Sequence, residues 1–160
     1  MAFYKKDNLA KDSPKNDLGS PLTNDVLSIL HRIESHNAEA RLVGGAVRNY
    51  LMGIAISDID IATTASPAEI INIFSDIDGV NVVPTGVDYG TITLIHNEKH
   101  YEITTLRSDI ETFGRKARVK FTKSFALDSQ RRDFTINAIY MDKNRRIFDY
   151  HNGLNDIAEK

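Results

Sequence analysis

The chain has 160 residues, 41% of them hydrophobic, and 20 Lys and Arg against 22 Asp and Glu give a formal net charge of −2. That is one domain's length with ordinary globular composition, enough to bury roughly 70% of the surface the unfolded chain exposes. The absence of cysteine excludes a disulfide framework, a thiolate metal site and a cysteine nucleophile. No apolar run approaches the roughly 20 residues needed to span a bilayer, so no membrane partner is expected. The start, MAFYKKDNLAKDSPKNDLGS, lacks a signal peptide's apolar core, and a cytoplasmic protein is the default reading.

Residues 1–19 are polar and aperiodic and read as a flexible tail. Ser20 reads as a helix N-cap followed by Pro21 in the first turn. Leu22, Val26, Ile29, Leu30 and Ile33 recur at helical spacing, which predicts a helix to about His36. A short strand over Arg41, Leu42 and Val43 is broken by Gly44-Gly45. A helix from Ala46 to Met52 follows, closed by Gly53. Ser57 to Thr63 alternates as a strand, and Ser66-Pro67 opens a helix with Ile70, Ile71 and Phe74 inward. Strands are expected at 81–84, 90–96 and 100–106, the last two joined as a hairpin at Asn97-Glu98. Residues 107–123 show no period and read as a loop, with a candidate strand at 118–121. Residues 124–132 read as helix, 135–140 are ambiguous, and 141–148 read as a closing hairpin. This order fits an α/β domain on a mixed sheet.

The charge is unevenly spread. Residues 1–106 hold 8 Lys and Arg against 14 Asp and Glu, whereas residues 107–132 hold 8 against 3. Such a layout suits a protein that handles a polyanion with one region and cations with another; a solvated basic loop accounts for it equally well. Arg115, Lys116, Arg118 and Lys120 are the cations there that an RNA backbone would meet.

Asp58-Ile59-Asp60 is the sharpest local feature. Residues i and i+2 on a strand share a face, so the two carboxylates would repel unless a cation sat between them. Oxygen ligands of this kind suit Mg²⁺, although a short Asp-x-Asp also fits an exposed acidic strand end. Gly44-Gly45 lies between a strand and a helix, where backbone N–H groups and the helix N-terminus can receive a phosphate and Arg48 can add a guanidinium fork. A plain strand-to-helix turn explains the pair equally well. Glu102 fits a third carboxylate near the metal or a solvent-facing strand residue, and Arg107, ending the same strand, is a candidate phosphate contact. Arg131 to Ala138 places two guanidiniums, the Asp133 carboxylate and the Asn137 amide within a few residues, which suits a triphosphate and a ribose. Phe134 and Ile136 read as core. The five histidines show no metal spacing.

Six stretches carry a family resemblance in order: LVGGAVRNYLMG (42–53), SDIDIATTASPAEI (57–70), GVDYGTITL (86–94), YEITTLR (101–107), RRDFTINAIY (131–140) and FDYHNGLNDI (148–157). Together they resemble the head domain of class II CCA-adding enzymes and bacterial poly(A) polymerases, nucleotidyltransferases of the polymerase-beta-like superfamily. The resemblance implies a five-stranded mixed sheet with flanking helices. It also implies two-metal, Mg²⁺-dependent transfer of CMP or AMP from CTP or ATP to the 3′-hydroxyl of tRNA, with release of pyrophosphate. Asp58 and Asp60 match the metal-binding pair. Gly44, Gly45 and Arg48 match the triphosphate segment, and Arg132, Asp133 and Asn137 match the segment that contacts sugar and phosphates. The loop after Arg107 matches one that helps switch from C to A addition.

Two departures stand out. Asn49 replaces the family's usual aspartate after Val-Arg, which would weaken a local ion pair. The neck motif Glu-Asp-x-x-Arg, whose side chains pair with the incoming base, has no match before Lys160. The expected division is therefore a tail at 1–19, a catalytic head at 20–150 and the start of a neck at 151–160. The chain would be a truncated form, one product of a split gene completed by a second chain, or a remnant. A poly(A) polymerase head and a nucleotide- or RNA-binding remnant without turnover are the other functions the resemblance leaves open.

Overall fold

A computed structural model describes residues 19–113 and 116–159, with side chains given outside 110–118. The expected tail, apart from Gly19, and Arg115 lie outside the described residues. Five strands form the expected mixed core: β1 (Ala40–Val43), β2 (Ile59–Thr63), β3 (Val80–Gly86), β4 (Thr91–His96) and β5 (Lys99–Thr105). Two further strands extend the sheet: β8 (Ile139–Met141) pairs with β1, and β9 (Ile147–Asp149) pairs with β8. The sheet therefore has seven strands in the order β3-β4-β5-β2-β1-β8-β9. The five-strand expectation is extended because the closing hairpin joins the sheet edge.

Residues 107–123, expected as a loop, contain a separate antiparallel ribbon of β6 (Arg107–Phe113) and β7 (Lys116–Phe121). Helices α1 (Asn24–Glu34), α2 (Gly45–Met52), α3 (Pro67–Phe74), α4 (Phe125–Gln130) and α5 (Gly153–Ala158) complete the described chain.

Local chemistry sets the helix ends. The N-cap of α1 is Thr23, not Ser20: Thr23 Oγ1 accepts the Val26 N–H, while Ser20 Oγ accepts the Leu22 N–H in the turn before it. For α3, Ser66 and Glu69 form the reciprocal capping box, and Gly53 closes α2 in the left-handed conformation.

Alternation along the strands divides the core. Leu42, Ile61, Ile103, Ile139 and Met141 face Val26, Leu30 and Ile33 of α1, Val47 and Tyr50 of α2, and Ile70 and Phe74 of α3. Val43, Ala62, Tyr140 and Phe148 point the other way and pack with Leu106 and with Phe125 of α4. On that second face the Arg41 guanidinium lies 3.9 Å over Phe125 and 3.5 Å over Phe148. Its Nη1 donates to Tyr150 Oη. A desolvated sandwich of this kind contributes about 2 kcal/mol. It closes one half of the second face, while Asp60 and Glu102, on the same face, remain accessible.

The end of the described chain is pinned to the sheet. Asp149 accepts the N–H groups of Gly153 and Leu154 at 2.9 Å each, which anchors the start of α5. Gly153 packs so tightly that a Cβ there would run into the Thr135 carbonyl. Gly153→Ala should cost about 1–3 kcal/mol through overpacking, read as a lower thermal midpoint. An unchanged midpoint would show that α5 shifts freely.

Candidate active site

The site grows from the parallel pairing of β2 with β5. Register places Asp60 beside Glu102, with Val43 of β1 on the other flank of Asp60. Parallel neighbours point their side chains to the same face. The two carboxyls therefore stand as neighbours on one face, close enough for the Glu102 charge to act on Asp60. Burial is the main reason that the Asp60 pKa is raised to about 6. The Glu102 and Asp58 charges push the same way, and Arg132 opposes them. Asp58 is exposed, one residue before β2 rather than inside the strand as expected. It still acts on Asp60 through charge.

Gly44 is the N-cap of α2, with φ 76° and ψ −138°. A Cβ at Gly44 would lie 3.8 Å from Asp60 Oδ2, so the strand-to-helix turn passes directly beside that carboxylate. The positive end of α2 therefore abuts the acidic pair. One turn into α2, Arg48 Nη1 donates to Asn137 Oδ1 at 2.7 Å, uniting two segments that lie far apart in sequence. Arg48 Nε donates to Asn49 Oδ1 at 3.0 Å, and Asn49 Nδ2 donates to the Ala55 carbonyl at 3.0 Å. Asn49 thus orients Arg48 and pins the loop before β2. A carboxylate there would gain charge against Arg48 but could not donate to Ala55.

Asp128 escaped the sequence reading. It is 1% exposed on α4. It pairs with Arg131 Nε at 3.1 Å and Arg132 Nη2 at 3.3 Å. It also accepts Tyr140 Oη–H at 2.7 Å and the Arg107 N–H at 3.1 Å. Burial pushes the Asp128 carboxyl up, but Arg131, Arg132 and these hydrogen bonds outweigh it and hold the pKa below the usual carboxylate value. Two signals pointed to it: arginines three and four residues ahead on a helix, and a tyrosine on the alternation of β8. Burial of an aspartate was the part no local pattern announces.

Arg107 Nη1 donates to the Tyr89 carbonyl at 2.8 Å, and its guanidinium carbon lies 5.8 Å from the Tyr89 ring centroid. Its buried Nε has no hydrogen-bond partner among the described residues. Burial first, then the neighbouring Arg131, lowers its pKa.

Asp60, Glu102 and Gly44 are therefore brought together, Asp58 and Arg132 act on Asp60 by charge, and Arg48 is joined to Asn137. Arg107 connects to Arg132 through Asp128. Asp133 follows Arg132 and is exposed. Of the proposed RNA contacts, Lys120 is exposed on β7; the side chains of Lys116 and Arg118 lie outside those described. Phe134 corrects the expectation of core packing. It is 65% exposed, because it precedes a 3-10 turn (Thr135–Asn137) instead of entering a strand. Ile136, in that turn, is half-buried and stands outside both cores. Among the described residues no group of three or more His, Cys, Asp or Glu is arranged as a metal cage. The adjoining acidic side chains suit a hard cation that takes its other ligands from water and substrate.

The chain is an α/β domain whose mixed sheet lays an acidic pair beside a glycine turn. Residues 40–160 match the poly A polymerase head domain, and the chain belongs to that family. The CCA-adding enzyme of Staphylococcus haemolyticus (strain JCSC1435) is 46% identical over 143 residues, covering 88% of this chain and 34% of that protein. The CCA-adding enzyme of Staphylococcus aureus (strain MRSA252) is 44% identical over 134 residues, covering 82% and 32%. The chain thus spans about a third of the length of the curated relatives it matches.

Among solved structures, the Bacillus stearothermophilus CCA-adding enzyme in complex with CTP superposes with a TM-score of 0.76 at 36% identity, covering 88% of this chain and 32% of that one. A tRNA nucleotidyltransferase complexed with a primer tRNA and an incoming ATP analog gives 0.65 at 29% identity, covering 82% and 37%.

Proposed function

We propose that this chain is the catalytic head of a tRNA nucleotidyltransferase that moves CMP and AMP from CTP and ATP to the 3′-hydroxyl of tRNA. The observation that carries this reading is Asp60 held against Glu102 beside Gly44, with Arg132 acting on the same carboxyl. The relatives named as CCA-adding enzymes, one of them solved with CTP, support the same reading. In the reaction the acceptor hydroxyl gives up its proton and its oxygen bonds to the α-phosphorus. The bond from that phosphorus to the bridging oxygen breaks, and pyrophosphate leaves.

Asp58 and Asp60 would hold Mg²⁺, which when bound lowers the pKa of the attacking hydroxyl and neutralises triphosphate oxygens. Glu102, beside Asp60 on β5, would add a third carboxylate there. Gly44 and Gly45 offer backbone N–H groups to the triphosphate, and Arg48, Arg107 and Arg132 supply positive charge. Asp133 and Asn137 are placed to read the ribose. Residues 20–150 form the catalytic unit in this reading, and 151–160 lead towards a neck. With tRNA as substrate the proposed setting is the cytoplasm. Among the described residues no helix is long and apolar enough to cross a membrane.

The experiment is transfer of labelled CTP and ATP, separately and together with Mg²⁺, onto tRNA lacking its terminal CCA, with Asp58→Ala beside the wild type. Incorporation lost in the variant is the expected result. A wild-type chain that neither incorporates nor binds either nucleotide in the presence of Mg²⁺ would overturn the proposal. Long tracts of A alone would instead assign a poly(A) polymerase head.

A further inference from the structure

Asp128 touches no substrate in the reading above, yet it organises three of the arginines around the site. Its Oδ2 receives Arg132 Nη2 at 3.3 Å and Tyr140 Oη–H at 2.7 Å, and the same Tyr140 oxygen accepts Arg132 Nε at 3.4 Å. This closed triangle fixes the guanidinium at two of its nitrogens. The third, Nη1, has no hydrogen bond among the described residues and remains for a ligand. The Tyr140 ring also lies against Arg132, 5.6 Å from its guanidinium carbon. The other carboxylate oxygen, Oδ1, holds Arg131 Nε and the backbone N–H of Arg107, each at 3.1 Å. One buried carboxylate thereby joins the base of the β6–β7 ribbon to Arg132.

We infer that Asp128 is a positioning residue for the incoming nucleoside triphosphate, acting through Arg132, which it and Tyr140 hold with one nitrogen free. This rests on the function proposed above. A buried ion pair of purely structural use is often replaceable by apolar residues of similar size. Here both charged partners lie in the segment proposed to meet the nucleotide, and the geometry leaves the useful nitrogen open.

The test is a double-mutant cycle on the 160-residue chain, read by equilibrium binding of labelled CTP with Mg²⁺ and by thermal midpoint. Asp128→Asn keeps the shape but not the charge. It should weaken CTP binding about tenfold, and Arg132→Ala should weaken it at least as much. The double variant should bind no worse than Arg132→Ala alone, because both changes remove one function. Effects that multiply instead would mark a general structural role and overturn the inference, as would a folded Asp128→Asn with unchanged CTP affinity.

If Asp128→Asn fails to fold, Tyr140→Phe decides, since it keeps the ring and removes only the hydroxyl of the triangle. A roughly threefold loss of CTP affinity that disappears in the Arg132→Ala background supports the inference. Unchanged affinity overturns it. A folded wild type that binds no CTP would instead bring down the underlying functional reading, an outcome seen before any variant is compared.

Discussion

Asp60→Asn should abolish nucleotide transfer, by about a thousandfold or more, while making the metal-free protein more stable at pH 7.5. The first effect follows from losing an anionic ligand at the proposed Mg²⁺ site, where charge stabilisation is worth several kcal/mol and each 1.36 kcal/mol is tenfold in rate. The second follows from the raised pKa. The Asp60 carboxyl titrates near 6 in the folded chain, against an ordinary 3.8. Below the lower value it is protonated in both states and costs nothing. Between the two, the folded state still holds the proton and the unfolded state has lost it. Stability from this group therefore falls as pH rises through that window, and the full cost persists above about 6.

Asparagine removes the cost. Because Asp60 is only partly buried, the gain should be about 1–2 kcal/mol, less than the nominal shift implies. For a chain of 160 residues that is a midpoint about 2–8 °C higher at pH 7.5. The gain should vanish near pH 4, and comparing variant with wild type at each pH cancels the other titrating groups. Mg²⁺ should raise the wild-type midpoint and leave that of the variant unchanged. A variant less stable than wild type at every pH would mean that Asp60 is a structural residue.

That site was half legible in the sequence. Asp58-Ile59-Asp60 announces itself because strand alternation is local. Glu102 does not, because its place beside Asp60 depends on a parallel pairing formed across α3 and the β3–β4 hairpin. Spacing left Glu102 open between a third carboxylate and a solvent-facing strand residue. Of the ribbon, the candidate strand at 118–121 falls within β7, whereas β6 escaped because its sequence shows no clear period and read as loop. Phe134 misled in the opposite direction: an apolar side chain is no guarantee of burial, and this one is 65% exposed. Asp128 was hidden because its meaning lies in tertiary neighbours. Only once α4 lies over β8 does Tyr140 reach it, and only then do Arg107 and Arg132 converge. The α1 start moved from Ser20 to Thr23 for a smaller reason, since two good caps competed three residues apart and the later one bonded the first helical turn.

Gly44→Ala should damage both fold and nucleotide binding, and Gly45→Ala beside it should separate the causes. At Gly44 the backbone sits at φ 76° and ψ −138°, near a region that only glycine occupies comfortably. Any Cβ there carries strain of about 1–3 kcal/mol. The added methyl would stand 3.8 Å from Asp60 Oδ2. Relief of the strain must rotate the turn that carries the α2 N-terminus past the acidic pair. Gly45 opens α2 and has no positive φ, so alanine there should hold or raise stability, by about 0.5–1 kcal/mol at most. Its methyl would sit 3.5 Å from Arg48 Nη2, an ordinary contact.

Thermal midpoint and CTP affinity should therefore both fall in Gly44→Ala, the affinity by at least tenfold. In Gly45→Ala the midpoint should hold. Equal midpoints for the two variants would remove the strain argument. A destabilised Gly44→Ala that binds CTP as tightly as wild type would reduce the glycine pair to a strand-to-helix turn, and the triphosphate would then have to lie elsewhere along Arg48, Arg107 and Arg132.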